Sequence, residues 1–167
     1  MPVPTLRHFP DTVLRKPCEP IIRFDKALDS LIKDLLAAMK DQPHGIGIAA
    51  PQIGVSKQAA IVDVSARVPE ARRLILVNPE ILELKEVKAS REGCMSLPDY
   101  TANLKRYDSV LLRWFDEKGN SHERSFQGIE AICIQHEVDH LNGVLFIDRV
   151  ASLKRDMIPR PKVFRRS

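Results

Sequence analysis

The chain reads as an α+β fold: antiparallel or mixed β-sheets packed around a central helix that carries a metal-binding motif. Three observations predict it. Strand-like runs outnumber helical ones. The turn signal Glu117-Lys118-Gly119-Asn120 joins two such runs as an antiparallel hairpin. The last long helical segment holds His136-Glu137-Val138-Asp139-His140, whose two histidines share one helix face.

The first helix is expected over residues 24–40. Leu28, Leu31, Ile32, Leu35 and Met39 recur at helical spacing, and Asp25 is a natural N-cap. Pro43 and Gly45 should stop it. Residues 59–64 and 74–77 read as short buried strands, and residues 81–88 alternate imperfectly, as a half-exposed strand would. Val110, Leu112 and Trp114 alternate with Leu111, Arg113 and Phe115, and the chain should return as residues 121–126. The second helix is expected over residues 128–141, with Gly143 as a left-handed cap. No internal repeat or low-complexity linker interrupts the chain, so residues 1–167 are expected to form one catalytic domain.

Composition excludes several classes. Apolar residues make up 44% and charged residues 29%, as in ordinary globular proteins. The start, Met1-Pro2-Val3-Pro4-Thr5-Leu6-Arg7, has no apolar run of the secretory kind. No apolar run approaches the roughly 18 residues that suggest a membrane span. Cys18, Cys94 and Cys133 are odd in number and widely spaced, which disfavours a disulfide framework and points to a reducing cytoplasm. A net charge of +4 is too mild to argue for nucleic acid, and no specific DNA binding is expected.

The chemistry concentrates in the second helix. Histidines four apart let both imidazoles reach one metal ion, and Glu137 between them can handle a proton of water there. Ile129, Ile132, Cys133, His136 and His140 fall on one stripe. A lone histidine on such a stripe would read as a packed core residue; two flanking a glutamate read as ligands. A catalytic site needs a third. Only 24 residues follow Gly143, with neither His nor Glu among them, so the ligand should lie upstream. Cys94, in Arg91-Glu92-Gly93-Cys94-Met95-Ser96-Leu97-Pro98, is the best candidate, with Gly93 permitting close backbone approach and Pro98 stopping regular structure. Cys18 lacks such a setting. Cys133, one turn before His136, reads instead as a small buried residue. The segment Gly45-Ile46-Gly47-Ile48-Ala49-Ala50-Pro51-Gln52 lacks the Lys-Ser/Thr of a phosphate loop. It reads either as a tight turn under a helix or as a site wall, with Gln52 an uncharged donor for a developing oxyanion.

Together these segments resemble the peptide deformylase family, whose motifs are G-x-G-x-A-A-x-Q, E-G-C-x-S and Q-H-E-x-D-H-x-x-G. The chain carries them in that order, at Gly45 to Gln52, Glu92 to Ser96 and Gln135 to Gly143. The resemblance implies hydrolysis of the N-formyl group from the initiator methionine of nascent peptides. Carried over by motif position, Cys94, His136 and His140 ligate one divalent metal, Fe(II) in the usual case, with Zn, Ni or Co able to replace it. Glu137 is the general acid/base, and Gln52 with the backbone N–H of Met95 meets the oxyanion. Backbone at Ile46 and Gly93 pairs with an extended peptide. Gly47, Ile129, Ile132 and Cys133 line the methionine pocket.

The match has departures. Many family members have leucine at Met95, and some bacterial ones have an arginine near Thr101, which leaves preference beyond methionine open. Family position suggests that Glu92 pairs with Arg106; a solvated arginine is the competing reading. The basic segment Arg160 to Ser167 is a candidate contact with the ribosome, against a frayed charged terminus, and Pro159 and Pro161 disfavour a helix there. Two rival classes remain. A zinc endopeptidase is disfavoured by the missing downstream ligand, and a closed structural metal site by the lack of a fourth ligand and of any use for Glu137.

Overall fold

The computed structural model describes residues 2–42 and 45–161. In chain order its elements are α1 (Lys26–Lys40), β1 (Gly47–Ala49), β2 (Ala59–Val62), β3 (Leu74–Cys94), β4 (Leu97–Phe115), β5 (Ser121–Gln127), α2 (Gly128–Leu141), α3 (Leu153–Asp156) and β6 (Met157–Pro159), with short 3-10 turns between. The strands form one six-stranded sheet in the order β1-β2-β3-β4-β5, with β6 also paired to β4. Every pairing between these strands is antiparallel.

Helix α1 starts two residues later than expected. The Asp25 carboxylate accepts from the N–H groups of Ala27 and Leu28 at 3.1 and 3.3 Å, which fixes the first turn at Lys26. Phe24 lies outside and packs against Phe115 instead. The stop expected at Pro43 lies outside the described residues. Leu28, Ile32, Leu35 and Met39 bury against Ile48, Ile61 and Val77. On the other side of the same strands, Ala49, Ala60, Val62 and Leu76 meet Cys133, Ile134, Val138 and Leu141 of α2. Strand β2 therefore lies between two helices, which is why all four of its residues are buried and apolar rather than alternating.

The two strands expected at residues 74–77 and 81–88 are one strand, β3. Asn78 takes a left-handed turn at φ 50°, and the register slips between Val77 and Glu80 and again between Ile81 and Glu83. Asparagine tolerates that conformation, and its side chain is used: the amide bonds both N–H and C=O of Ile21 at 2.8 Å. Strand β4 also begins earlier than its alternation suggests, at Leu97. Pro98 does not stop it. The register jumps from Gly93↔Thr101 to Cys94↔Leu97, so Pro98 falls in a short excursion with no β3 residue opposite and its missing N–H costs no ladder bond.

The β4–β5 hairpin forms as expected, with the Asp116 carboxylate accepting from the Lys118 and Asn120 N–H groups and Gly119 at φ 85°. Gly143 also takes its left-handed cap, at φ 75°. Helix α2 is buried on nearly every side over its second half, so its apolar stripe is not a simple core face. Gln135 ties it to β4 through both Tyr107 backbone groups, at 3.0 and 2.7 Å.

Candidate metal centre and cleft

Cys94 is the last residue of β3. Met95 and Ser96 form the turn, and β4 starts at Leu97. The longest hairpin of the sheet thus ends at the functional centre, with α2 packed against it. His136 and His140 sit one helical turn apart with ring centroids 4.9 Å from each other. Ligand atoms of Cys94, His136 and His140 all lie within 4.8 Å of one another. His140 Nε2 is 3.3 Å from Cys94 Sγ. His136 Nδ1 is taken by Glu92 Oε1 at 2.9 Å, which leaves Nε2 for the centre. Burial holds His140 well below the usual histidine range, hence neutral, as a ligand must be. One sulfur and two nitrogens make a three-ligand set of the kind that keeps a position open. Cys133 is not in it. Burial pushes its thiol well up, and Sγ donates instead to the Ile46 carbonyl at 3.5 Å.

Glu137 is 3% exposed, and its Oε1 is buried with no hydrogen-bond partner. Burial, opposed by the attraction of His136 and Arg106 and helped by repulsion from Glu92 and Asp139, pushes its carboxyl up to about 7. An orphaned buried acid poised near neutrality fits a cation and a water beside it far better than it fits a closed core.

The glycine-rich segment is edge strand β1 followed by a 3-10 turn, Ala50–Ile53, and so is a wall rather than a tight turn beneath a helix. The Gln52 side-chain oxygen Oε1 accepts from Ala49 N–H at 3.0 Å, which aims its Nε2 at Ser96 Oγ (3.1 Å) and Cys94 Sγ (3.6 Å). At Gly47 a Cβ would lie 2.5 Å from Glu137 Oε2 and 2.9 Å from Cys133 Sγ. Gly47→Ala is therefore expected to displace Glu137 and lower kcat/KM by on the order of 10². Metal content measured by mass spectrometry should stay unchanged; wild-type turnover in this variant would show that Glu137 tolerates the shift.

Glu92 and Arg106 do pair, and both are buried. Arg106 reaches both Glu92 oxygens at 2.7 and 2.9 Å and Asp139 at 2.7 Å. Although burial opposes it, bonds from Arg106 and His136 hold Glu92 down at about 2. Arg149 closes the array with two bonds to Asp139, at 2.6 and 2.7 Å. Asp139, Arg149 and the acceptor role of Ser96 were not foreseen. The available signal was a second carboxylate inside a buried helix, which requires a cation partner.

Above the metal centre opens a cleft of about 1390 Å³. Gln52, Cys94, Met95, His136 and Glu137 line it, as do Ile46, Gly47, Gly93, Ile129, Ile132 and Cys133. All the expected site residues except His140, which is 1% exposed beneath the floor, thus meet in one cavity. Val3 to Leu6 of the N-terminal segment also border it, which nothing in the pattern of the sequence signalled.

Residues 3–156 match the family model of polypeptide deformylases. The chain is 43% identical to the peptide deformylase of Mesorhizobium japonicum over 159 residues, covering 95% of this chain and 90% of the relative. It is 40% identical to that of Rhizobium meliloti, with 96% and 92% covered. Among solved structures, the deformylase of Thermotoga maritima superposes with a TM-score of 0.84 at 35% identity, over 91% of this chain and all of the other. A Met-Ala-Ser-bound deformylase of Acinetobacter baumannii gives 0.83 at 34%, over 89% and 99%.

Proposed function

The chain belongs to the polypeptide deformylase family, and from that premise we propose how its cleft removes the N-formyl group from the N-terminal methionine of newly made proteins. That reaction is the family's function, a metal-dependent hydrolysis that releases formate. The observation that carries the residue roles is the convergence of Cys94, His136 and His140 within 4.8 Å of one another, in the floor that also holds the unpartnered Glu137 oxygen.

In this reading Cys94, His136 and His140 hold one divalent metal. When bound, it supplies Lewis-acid polarisation and makes water a better acid near neutral pH. Glu137 takes the proton of the attacking water and returns it to the leaving amine. Charge grows on the formyl oxygen, where Gln52 Nε2 and the Met95 N–H are the donors. The bond from Ala49 N–H to Gln52 Oε1 pre-sets that donor, so no reorientation is needed during reaction. Ile46 and Gly93, which both line the cleft, offer backbone for an extended peptide. Ile129, Ile132, Cys133 and Gly47 receive the methionine side chain. Formyl bears only hydrogen on its carbonyl carbon, so a cramped floor admits it and rejects acetyl. Residues 1–167 act as one catalytic domain on N-formylmethionyl nascent chains in the cytoplasm. No described helix is long and apolar enough to cross a membrane. The basic segment proposed to meet the ribosome lies, from residue 162 on, outside the described residues.

The test uses protein prepared without oxygen, formyl-Met-Ala-Ser and acetyl-Met-Ala-Ser. Formate should appear from the first alone; cleavage of an internal peptide bond would instead favour the endopeptidase reading. The soft thiolate in the ligand set favours Fe(II) over a hard ion. Iron-loaded enzyme should accordingly lose activity on exposure to air, and reloading with Ni or Co should restore air-stable turnover. Activity indifferent to both oxygen and chelators would rule out iron.

A further inference from the structure

Residues 6–14 join two parts of the core. At one end Leu6 packs with the apolar group that includes Met39, Ile53 and Met95. At the other, Leu14 is fully buried in the group that includes Cys94 and Leu97. Between these anchors the segment places two backbone donors on the catalytic loops. The Arg7 N–H donates to the Gln52 carbonyl at 2.7 Å, and the Phe9 N–H donates to the Ser96 carbonyl at 2.8 Å. Gln52 and Ser96 are 1% and 0% exposed, so water does not stand ready to replace either bond.

The Arg7 side chain adds a third hold. Its guanidinium lies over Gly54, where a Cβ would come within 3.0 Å of Nε and Nη2. Gly54 ends the 3-10 turn Ala50–Ile53 that carries Gln52, at a left-handed φ of 84°. Arg7 Nη1 is tied back to Asp11 at 3.2 Å, and Asp11 also accepts from the Val13 N–H at 3.0 Å.

The two carbonyls belong to the two loops that bring the oxyanion donors, Gln52 Nε2 from one and the Met95 N–H from the other. The side-chain link between these loops runs from Gln52 Nε2 to Ser96 Oγ at 3.1 Å. Nε2 is also the atom that meets the formyl oxygen. Arg7 and Phe9, two residues apart on one segment, supply a brace that does not draw on it. We propose that Arg7 to Phe9 is a positioning strap, whose two backbone N–H groups fix the spacing between Gln52 and the Met95-Ser96 turn and so hold both donors where charge grows in the transition state. The proposal rests on the oxyanion roles given above to Gln52 and Met95. Neither Arg7 nor Phe9 lines the cleft, so both act through the loops rather than on substrate. A donor misplaced in this way weakens the transition state more than the bound substrate, and the loss should fall on kcat rather than KM.

Arg7→Pro removes the N–H that Gln52 accepts. The metal-loaded variant, assayed on formyl-Met-Ala-Ser, should lose kcat by about 10-fold, with KM within about twofold and one metal ion per chain. The same substitution is then made in a Gln52→Ala background. There it should change kcat by less than about twofold, because the donor that it positions is gone. The Arg7→Pro ring also restricts Leu6, so Arg7→Met is measured beside it, keeping the N–H and removing only the hold on Gly54. Arg7→Met should lower kcat by about threefold, again only when Gln52 is present. If Arg7→Pro does not fold, the Arg7→Met cycle decides. Losses of equal size in both backgrounds would show a merely structural segment and overturn the proposal. So would wild-type kcat in the Arg7 variants, or a fall in kcat that tracks loss of metal. Wild-type kcat in Gln52→Ala alone would remove Gln52 from the oxyanion site, and the strap with it. Formate absent even from the wild type would sink the deformylase reading itself.

Discussion

Glu137→Gln is expected to lower kcat/KM on formyl-Met-Ala-Ser by about 10²–10⁴, the usual worth of a positioned proton acceptor. Metal should remain at one ion per chain, because Cys94, His136 and His140 keep their places. The amide fills the same space but cannot take a proton. The same substitution should stabilise the metal-free protein above neutral pH. Glu137 ionises at about 7 in the fold, against an ordinary value of 4.5. A carboxyl whose value is raised by folding destabilises the fold progressively as pH climbs from 4.5 through 7, by on the order of 3 kcal/mol once fully charged. Thermal melts of the metal-free variant and wild type should thus diverge with rising pH, the variant melting higher, and converge near pH 4.5. Activity within tenfold of wild type would remove Glu137 from the proton transfers. Melts that differ equally at all pH values would show that burial does not perturb its ionisation.

Much of this centre was legible in the chain because its signals are local. Two histidines one turn apart, a cap at Asp25, a left-handed glycine at 143 and the turn at 117–120 each depend on a few neighbouring residues. The full length of the β3–β4 hairpin was not legible. Imperfect alternation marked residues 81–88 as a half-exposed strand, but residues 83–89 are exposed on both faces. They are strand because Lys85, Val87 and Ala89 find partners in Ser109, Tyr107 and Lys105, a tertiary fact. The role of Pro98 also depended on a register jump that no local pattern encodes. The stripe Ile129-Ile132-Cys133-His136 was visible as one shared face; it borders the cleft, while Ala131, Ile134, Val138 and Leu141 carry the core. A period reveals that residues share a face, not whether that face meets protein or substrate.

The second large effect is on stability and metal affinity together. Arg106→Met is expected to cost about 3–5 kcal/mol, the usual result of removing one partner from a buried ion pair. Against a total stability of roughly 5–15 kcal/mol this is a large share. The loss does not fall evenly. Asp139 keeps two bonds from Arg149, whereas Glu92, with its side chain 7% exposed, retains only His136 and a 3.3 Å bond from Ser90. A buried carboxylate left with one imidazole draws a proton onto it or keeps its own. The first competes with metal for His136, and the second removes the acceptor that orients the ring, so metal affinity should fall about 10- to 100-fold. pH separates this account from simple loss of packing. In the wild type Glu92 ionises at about 2 in the fold. Its contribution is therefore present above the ordinary value of 4.5 and is lost as pH falls from there toward 2. Without Arg106 burial should raise Glu92 instead of letting it fall, so the variant should no longer lose stability over that acid window by this route. Denaturant melts from pH 7 to pH 3 with chelator competition at pH 7 measure both. A variant that keeps the wild-type acid slope and full metal affinity would show that Glu92 does not depend on Arg106, and that Arg106 matters only as bulk within the fold.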